Sequence, residues 1–370
     1  MRRLVTGGGT AGHVYPALAI VEALLSNEEW ATKREDVAWV GSADSIEERI
    51  LARQQWTFHP IPVGALRGVN PKAALHNLGR MREGYRRSRE LVARWRPHAV
   101  LATGGYVSVP LVLAARAASC PSLVFLPDMQ PGLAVRLLSR FAQRVAVSFE
   151  SVADRFPRRK VVVSGYPVRQ SLQGIDKKKA RDALNLAYRL PTLLVFGGSR
   201  GAHSINEAVS GVLEPLLTIA QVVHISGVED YGALDSLREN LPSNLRSRYH
   251  LFSYMYEKMP DALAAATLAV ARAGAATLGE LPAVGLPAVL VPYPYAGQHQ
   301  QLNAEYLAGN GAAVIVRDAD LGRRVLLVVT ELLADPERLR SMSASARALA
   351  VPEAATTVAR ELFSLAYDRL

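Results

Sequence analysis

The segment Leu4-Val5-Thr6-Gly7-Gly8-Gly9-Thr10-Ala11-Gly12-His13 decides the fold, because a short apolar run passes directly into a glycine-rich turn. A helix is predicted to follow this turn from about Pro16. Glycine lets the backbone turn tightly and approach a ligand, and the exposed N–H groups at the start of a helix attract negative charge. The segment therefore predicts the strand, anion-binding turn and helix that open a parallel α/β sheet.

Short apolar runs alternate with segments of helical period along the whole chain, which is typical of a parallel sheet covered by helices on both faces. Thirteen strands are predicted, at residues 4–6, 37–40, 58–63, 99–102, 123–126, 144–147, 161–163, 193–196, 222–225, 250–252, 268–271, 288–291 and 313–316. The turn Ser164-Gly165-Tyr166-Pro167 separates the first seven strands from the last six. We therefore expect two α/β domains, residues 1–164 and 165–350, with an amphipathic helix within residues 351–370.

Two further glycine turns also follow predicted strands. Thr103-Gly104-Gly105-Tyr106 follows the strand at 99–102, and Gly197-Gly198-Ser199-Arg200-Gly201-Ala202 follows the strand at 193–196. Both lie at the carboxyl ends of their strands, where open α/β sheets bind ligands. Three such loops on two sheets predict a ligand-binding cleft between the domains.

Two other enzyme classes fit parts of these loops. Gly7, Gly9 and Gly12 match the dinucleotide fingerprint, but a nicotinamide enzyme would need an acid ending the second strand, where Val40-Gly41-Ser42 stands instead. The third loop has the Gly-x-Ser-x-Gly form of a hydrolase elbow with Ser199 as nucleophile. Two similar α/β halves do not suit the single sheet of a hydrolase. Phosphate binding by the loop amides accounts for more of the chain.

The composition indicates a globular protein of a reducing compartment. Of 370 residues 49% are hydrophobic, and the single cysteine, Cys120, has no partner for an intramolecular disulfide. The N-terminus lacks a signal-peptide core, and no apolar run reaches the roughly 18 to 20 residues that cross a bilayer. We therefore expect a cytoplasmic protein without a membrane-spanning helix.

The net charge of +10 arises in the first half of the chain, since residues 1–165 hold 23 basic and 13 acidic residues. The segment from Arg67 to Arg96 contains nine basic and two acidic residues. From Pro71 to Arg96 it is predicted to be helical, with leucines among arginines, which favours docking on an anionic membrane surface. An ordinary helix with a basic solvent face is the alternative. Nucleic acid is disfavoured because no recognised nucleic-acid motif accompanies the charge.

Seven segments together resemble the ordered signature of the bacterial peptidoglycan glycosyltransferase family MurG. They are TGGGTAGHVYP (6–16), TGGYVS (103–108), GYPVR (165–169), GGSRGA (197–202), AGAATLGE (273–280), GLPA (285–288) and QQLNA (300–304). The resemblance implies a GT-B fold of two Rossmann-like domains, with the terminal helix returning to the first domain. It also implies inverting transfer of N-acetylglucosamine from UDP-N-acetylglucosamine to the 4-hydroxyl of an undecaprenyl-linked MurNAc-pentapeptide, at the cytoplasmic face of the membrane.

The resemblance also assigns site residues. On the donor side Glu280 would bind the ribose hydroxyls, and Ser199 with the following loop amides would hold the diphosphate without a metal or other cofactor. Gln300 and Gln301 would bind the transferred sugar. The donor side comprises Thr10, Gly12, Arg169, Ser199, Arg200, Gly201, Ala202, Gly274, Ala275, Glu280, Gln300 and Gln301. The acceptor side comprises Gly9, His13, Gly104, Gly105, Tyr106 and Asp128.

His13 and Asp128 are the candidate catalytic residues. An imidazole titrates near neutrality and can take the acceptor hydroxyl proton, although His13 can equally cap the helix or bind the acceptor pyrophosphate. Asp128 stands where the family usually has the Asn of a His-Glu-Gln-Asn run, and Phe125 and Leu126 occupy the His-Glu positions. Asp128 is therefore expected to replace the family's acceptor-side glutamate. This departure leaves open another lipid acceptor or a non-catalytic nucleotide-sugar-binding relative, and a sugar-nucleotide epimerase shares the architecture.

A second departure is Pro282. It falls within the helix predicted after Glu280, where proline is expected only in the first turn.

Overall fold

The computed structural model describes residues 1–64, 71–198, 202–294 and 299–369, without the side chains of residues 71–74. The chain divides into two compact units. The first comprises residues 1–170 together with 351–370, and the second comprises residues 171–350.

The first unit contains a parallel sheet of seven strands within the described residues. The strands are β1 (Arg3–Thr6), β2 (Val37–Gly41), β3 (Phe58–Pro60), β4 (Ala99–Ala102), β5 (Ser122–Leu126), β6 (Arg144–Val147) and β7 (Val161–Val163). The helices that connect them are α1 (Ala11–Ser26), α2 (Ile46–Arg53), α3 (Pro71–Trp95), α4 (Ser108–Ala117), α5 (Leu133–Phe141) and α6 (Glu150–Ala153). The order β3-β2-β1-β4-β5-β6-β7 reverses direction between β1 and β4. The carboxyl ends of these two strands therefore form the crevice in which doubly wound sheets bind ligands.

The second unit repeats the plan with a six-stranded parallel sheet among its described residues. Its strands are β8 (Thr192–Phe196), β9 (Gln221–Ile225), β10 (Tyr249–Phe252), β11 (Leu268–Ala271), β12 (Ala288–Leu290) and β13 (Ala313–Ile315). Its helices are α7 (Lys177–Ala183), α8 (His203–Ser210), α9 (Leu213–Ile219), α10 (Val228–Glu239), α11 (Ser243–Arg246), α12 (Met259–Ala265), α13 (Thr277–Val284), α14 (His299–Gly309), α15 (Leu321–Leu333) and α16 (Pro336–Ala348). The order β10-β9-β8-β11-β12-β13 reverses between β8 and β11.

The last helix, α17 (Ala354–Tyr367), belongs to the first unit. It packs on α1 and reaches β4 and β5. Trp30 stacks on Phe363 with 5.5 Å between the ring centroids. Arg144 forms an ion pair with Glu361, with 3.2 Å between Nε and Oε2.

Each sheet is surrounded by its own apolar core. The central strands are buried along their whole length, as in β4 and β11, because helices cover both faces. Parallel strands buried in this way read as continuous apolar runs rather than alternating ones. This explains why every predicted strand is present to within a few residues, the largest difference being β3, which ends at Pro60 rather than at residue 63.

Two helices differ from the expectation. α1 begins at Ala11, not near Pro16, so His13 lies in the first turn. α13 continues through Pro282 to Val284, so the expectation that proline would be confined to the first turn is wrong. Proline removes one backbone hydrogen bond. The helix persists because all its residues from Thr277 to Pro282 are buried, and packing maintains it.

Within the described residues, no helix is both long enough and apolar enough to cross a membrane.

Candidate functional site

In the first unit two glycine turns meet where β1 and β4 end. The Thr103 N–H donates to the Thr6 carbonyl (2.9 Å), and the Gly8 N–H donates to the Gly104 carbonyl (3.4 Å). Gly105 has a φ of +82°, and a Cβ atom there would lie 2.4 Å from the Gly8 carbonyl oxygen. Glycine is required at this position both for its backbone conformation and for the close approach of the two loops.

His13 projects into this junction from the first turn of α1. Its Nδ1 lies 2.9 Å from the Gly8 carbonyl oxygen. A carbonyl oxygen only accepts hydrogen bonds, so in the neutral imidazole Nδ1 carries the proton and Nε2 keeps a lone pair. Nε2 lies beside Gly104, since a Cβ atom built there would be 2.9 Å from it. The arrangement orients His13 to accept a proton through Nε2 and brings it together with Gly9, Gly104 and Gly105.

The segment that follows β7, at residues 164–170, contacts the start of α1. Pro16 lacks an N–H, so the Gly12 carbonyl has no helical donor four residues later, and the Tyr166 hydroxyl lies 3.4 Å from this carbonyl. The buried guanidinium of Arg169 stacks on the Tyr15 ring, 4.0 Å from its centroid. Burial raises the pKa of nearby Glu22, and the backbone hydrogen bond from Gln170 and the charge of Arg169 partly offset the shift. Arg169, expected on the donor side, thus lies against α1 of the first unit.

The residues at the end of β5 and just beyond it, where the sequence departs from the family pattern, lie in different environments. Phe125 is fully buried near the end of β5, with its ring edge-to-face against Tyr166 at 6.2 Å between centroids. Leu126 is also buried. Asp128 lies two residues beyond β5 and is partly exposed. An apolar packing contact therefore occupies the first of the family's His-Glu positions, and Asp128 provides a carboxylate just after β5, at the carboxyl edge of the sheet.

In the second unit the equivalent edge lies at the ends of β8 and β11. Gly198 follows β8 with a φ of +97°, and the Ala202 carbonyl accepts from the Asn206 N–H (2.9 Å) as α8 begins. Ser199, Arg200 and Gly201 lie outside the described residues. After β11 the Gly274 carbonyl accepts from both the Thr277 N–H (3.0 Å) and the Thr277 hydroxyl (2.6 Å). The structure thus brings Ala202, Gly274 and Ala275 to one edge of the sheet.

Glu280 is the fourth residue of α13 and is mostly buried. The two glutamines occupy the first turn of α14: Gln300 accepts from the Tyr293 N–H (3.0 Å) through Oε1, whereas the side chain of Gln301 donates to Glu305 along the helix (2.8 Å). Gln301 is exposed. The three side chains thus lie near the start of helices that follow β11 and β12.

A polar cluster that sequence reasoning did not identify connects the loops of this edge. Arg272, directly after β11, forms an ion pair with Asp318 and donates to the Ser204 hydroxyl (2.7 Å) and to the Val291 carbonyl (3.2 Å). Ser204 in turn donates to Asp318 (2.7 Å). Buried Asn303 donates to the Ala273 carbonyl (3.0 Å), immediately before Gly274. Asn303 could have been found from the sequence, because it lies in the QQLNA segment. Arg272, Ser204 and Asp318 are widely separated along the chain and form no local pattern.

A cavity of about 470 Å³ in the second unit lies elsewhere. Its lining includes Thr267 and Pro287, which precede β11 and β12, so it opens at the amino-terminal edge of the sheet. None of the described residues predicted for the site lines it.

Comparison with known proteins supplies the family. The glycosyltransferase family 28 N-terminal domain matches residues 4–147, and the family 28 C-terminal domain matches residues 192–358. A relative from Roseiflexus sp. (strain RS-1) is 42% identical over 100% of this chain and 96% of its own length. It is named UDP-N-acetylglucosamine–N-acetylmuramyl-(pentapeptide) pyrophosphoryl-undecaprenol N-acetylglucosamine transferase.

Solved structures agree with the fold. The crystal structure of Acinetobacter baumannii MurG has a TM-score of 0.70 and 27% identity, covering 97% of this chain and 98% of that one. A UDP-GlcNAc 2-epimerase from Neisseria meningitidis also has a TM-score of 0.70, covering 98% of this chain and 100% of its own, but at 15% identity it shows the shared GT-B architecture alone. The chain therefore belongs to the MurG family of glycosyltransferases, within glycosyltransferase family 28.

Proposed function

We propose that the chain transfers N-acetylglucosamine from UDP-N-acetylglucosamine to the 4-hydroxyl of N-acetylmuramyl-(pentapeptide) pyrophosphoryl-undecaprenol, with inversion at the anomeric carbon. The observation that carries the proposal is His13, oriented by the Gly8 carbonyl at the meeting point of two glycine turns. The name shared by the full-length relatives supports the choice of donor and acceptor.

The contacts to the ribose, diphosphate and sugar of the donor are assigned to residues of the second unit. A carboxylate at Glu280 can accept two hydrogen bonds from the vicinal ribose hydroxyls, and such charge-assisted bonds contribute about 1.5 to 3 kcal/mol each. The amides from Ser199 to Ala202 precede α8, and the start of a helix stabilises the charge that develops on the departing diphosphate. Thr10, Gly12 and Arg169 would complete the donor side. The diphosphate would be held in this way without a metal.

Acceptor binding is assigned to the first unit. Gly9, Gly104, Gly105 and Tyr106 would hold the acceptor, and Nε2 of His13 would take the proton of its 4-hydroxyl while the new glycosidic bond forms. The bond between the anomeric carbon and the UDP oxygen breaks in the same in-line displacement. Asp128 would orient the acceptor in place of the glutamate that other family members carry.

The test is an assay of purified protein with UDP-N-acetylglucosamine and a short-chain analogue of the acceptor lipid. UDP release and the mass of the disaccharide product are measured, with an acceptor-free control. His13→Ala is expected to lower kcat by about 10²- to 10⁴-fold. Glu280→Gln is expected to raise the KM for UDP-N-acetylglucosamine by about tenfold or more, through loss of charge-assisted hydrogen bonds.

Glu331→Gln is the matched control, because it makes the same change at an exposed position of α15. Transfer that persists undiminished in His13→Ala, or a Glu280→Gln variant that behaves like Glu331→Gln, would contradict the assigned roles.

The buried Phe125 and Leu126 favour a second candidate, a glycosyltransferase acting on another lipid, because the positions that other members use toward the acceptor are apolar here. Transfer to diacylglycerol but not to the muramyl lipid would support this candidate. Donor binding without transfer to either lipid would instead indicate a non-catalytic nucleotide-sugar-binding relative.

We also propose that the first unit docks on an anionic membrane at the cytoplasmic face, and that nucleic acid is not a partner. α3 packs on α4, and α4 packs on α5, so the three helices form one layer. Leu75 and Leu78 on α3 are 73% and 56% exposed, and Leu133 on α5 is 53% exposed. Arginines lie nearby in sequence, among them Arg80 and Arg136. Exposed apolar side chains flanked by basic residues suit the interface of an anionic bilayer.

Flotation with vesicles tests the membrane proposal. The protein is expected to bind vesicles that contain phosphatidylglycerol, to bind phosphatidylcholine alone weakly, and to lose binding as salt is raised. Leu75→Ser with Leu78→Ser should weaken binding, whereas Leu327→Ser, at an exposed leucine of the second unit, should not. Equal binding by both variants would argue against α3 as the docking element.

A further inference from the structure

A carboxylate lies buried beneath the first glycine turn. Glu47, in the first turn of α2, is only 1% exposed. Its Oε2 accepts from the Gly9 N–H (3.3 Å) and its Oε1 accepts from the Ser42 N–H (3.3 Å). Within the described part of the chain, no ion pair of Glu47 is found. Burial of a carboxylate is costly unless hydrogen bonds stabilise it, and here the two backbone N–H groups provide them.

The turn is shaped around this side chain. A Cβ atom on Gly8 would lie 2.3 Å from Oε1 of Glu47, and one on Gly41 would lie 3.0 Å from its Cγ. Two residues without side chains therefore provide the space that the carboxylate occupies.

One peptide unit connects Glu47 to His13. The Gly8 carbonyl and the Gly9 N–H belong to the same trans peptide, so they point in opposite directions. The N–H donates to Glu47, and the carbonyl lies 2.9 Å from Nδ1 of His13. The carboxylate, the peptide and the imidazole thus form a continuous hydrogen-bonded chain.

We infer that Glu47 is a positioning residue for His13 that acts through the Gly8–Gly9 peptide. A negative charge on the N–H side of a peptide polarises it and makes its carbonyl a stronger acceptor, because hydrogen bonds in a chain reinforce one another. The stronger acceptor holds the proton on Nδ1, which leaves Nε2 free to accept. It also stabilises the imidazolium formed when Nε2 takes the acceptor hydroxyl proton, as a carboxylate bonded directly to histidine does in other enzymes. The inference rests on the proposed function only in taking His13 as the base.

Glu47→Gln tests this relay, since it keeps the shape of the side chain and removes the charge. We expect kcat for transfer to fall by about tenfold or more. The KM for UDP-N-acetylglucosamine should change far less, because the residues assigned to its ribose, diphosphate and transferred sugar belong to the second unit. Glu48→Gln is the matched control: Glu48 is the next residue of α2 and accepts from the Asp44 N–H (2.7 Å) rather than from the glycine turn. Its kcat should stay at the wild-type value.

Nitrogen-15 NMR of histidine-labelled protein supplies a readout that a merely structural role would not change. Neutral His13 in the wild-type protein is expected to be protonated on Nδ1, and Glu47→Gln should shift population toward the Nε2-protonated tautomer. The wild-type measurement does not depend on whether the variant folds. A wild-type His13 protonated on Nε2 overturns the inference.

The activities of the two variants distinguish a failure of the relay from a failure of the proposed function. If His13→Ala is inactive while Glu47→Gln keeps the wild-type kcat and the wild-type His13 tautomer, the relay is overturned and the base assignment stands. Full activity in His13→Ala instead contradicts the base assignment on which the relay rests, whereas absence of transfer by the wild-type protein contradicts the proposed function itself.

Discussion

At the scale of single residues, contacts of a few atoms determine the geometry around His13. The Gly8 carbonyl oxygen is hydrogen-bonded to His13 and is closely approached by Gly105. Pro16 and Pro282 are each the sixth residue of their helix, and each removes one backbone hydrogen bond. In α1 the Gly12 carbonyl that is left over lies within reach of the Tyr166 hydroxyl. Pro16 therefore leaves a backbone carbonyl to which Tyr166, in the segment after β7, can donate.

Gly105→Ala is predicted to abolish most transfer activity. The new Cβ atom would lie 2.4 Å from the Gly8 carbonyl oxygen, and a φ of +82° disfavours any residue with a side chain. The Gly8 carbonyl would have to move, and His13 would lose the acceptor that orients it. The assay of UDP release measures the effect, with Gly132→Ala as control because a Cβ atom there meets nothing within 4 Å. Equal activities of the two variants would show that the close approach is dispensable.

At the scale of elements, α8 is attached to the sheet by a buried polar chain. His224 on β9 lies 2.9 Å from the Tyr249 hydroxyl and 2.9 Å from Oδ1 of Asn206, which is in α8. Asn206 donates to Asp230 (2.6 Å), and Asp230 pairs with His203 at the start of α8 (2.9 Å). These hydrogen bonds fix the position of α8, which begins directly after the proposed diphosphate loop, relative to the sheet.

Acidification is predicted to destabilise the second unit through His224. Burial lowers the pKa of this imidazole from 6.5 to about 4. Between these values the unfolded chain binds a proton that the folded chain does not, so stability is complete above the unfolded pKa and is lost as the pH falls toward 4. From about pH 7 to about pH 5 the loss should be about 2 kcal/mol.

Urea unfolding at the two pH values measures this loss. His224→Gln keeps a donor and an acceptor but does not titrate, so its stability should depend less on pH by that amount. His203 opposes the effect, because pairing with Asp230 raises its pKa, and this contribution is common to both proteins. An identical pH dependence of wild type and variant would remove His224 as the cause.

At the scale of the whole molecule, the first unit is completed by the end of the chain. α17 covers α1 and reaches β4 and β5, so the core of this unit depends on residues more than 300 positions from β1. Val358, Ala359 and Leu362 of α17 are fully buried. The first unit therefore cannot complete its core until the final helix has docked.

Leu362→Ala is predicted to lower the free energy of unfolding by about 3 kcal/mol, the usual cost of removing a buried leucine side chain and leaving a cavity. Leu327→Ala, at a leucine that is 61% exposed on α15, should change it by less than about 0.5 kcal/mol. Urea denaturation of both variants provides the comparison. A loss of stability no larger in Leu362→Ala than in Leu327→Ala would mean that α17 contributes little to the core.

The strands and the glycine turns were predictable because their signals are local. Strands such as β4, β6 and β11 are found at the predicted residues, since a strand buried on both faces is a continuous apolar run wherever it stands. The family motifs likewise indicated which edge of each sheet carries His13 and Glu280.

The remaining features depend on contacts between residues far apart in the chain, which leave no periodic signal. In the sequence, Glu47 cannot be distinguished from any glutamate of an amphipathic helix. Only the folded structure places its carboxylate where the Gly9 N–H donates to it. Arg272 and Asp318 are separated by 46 positions, yet they form one cluster at the end of β11. Local pattern thus specifies strands and turns, whereas the partners of a buried charge are chosen by packing, because desolvation penalises any charge that folding leaves without hydrogen bonds.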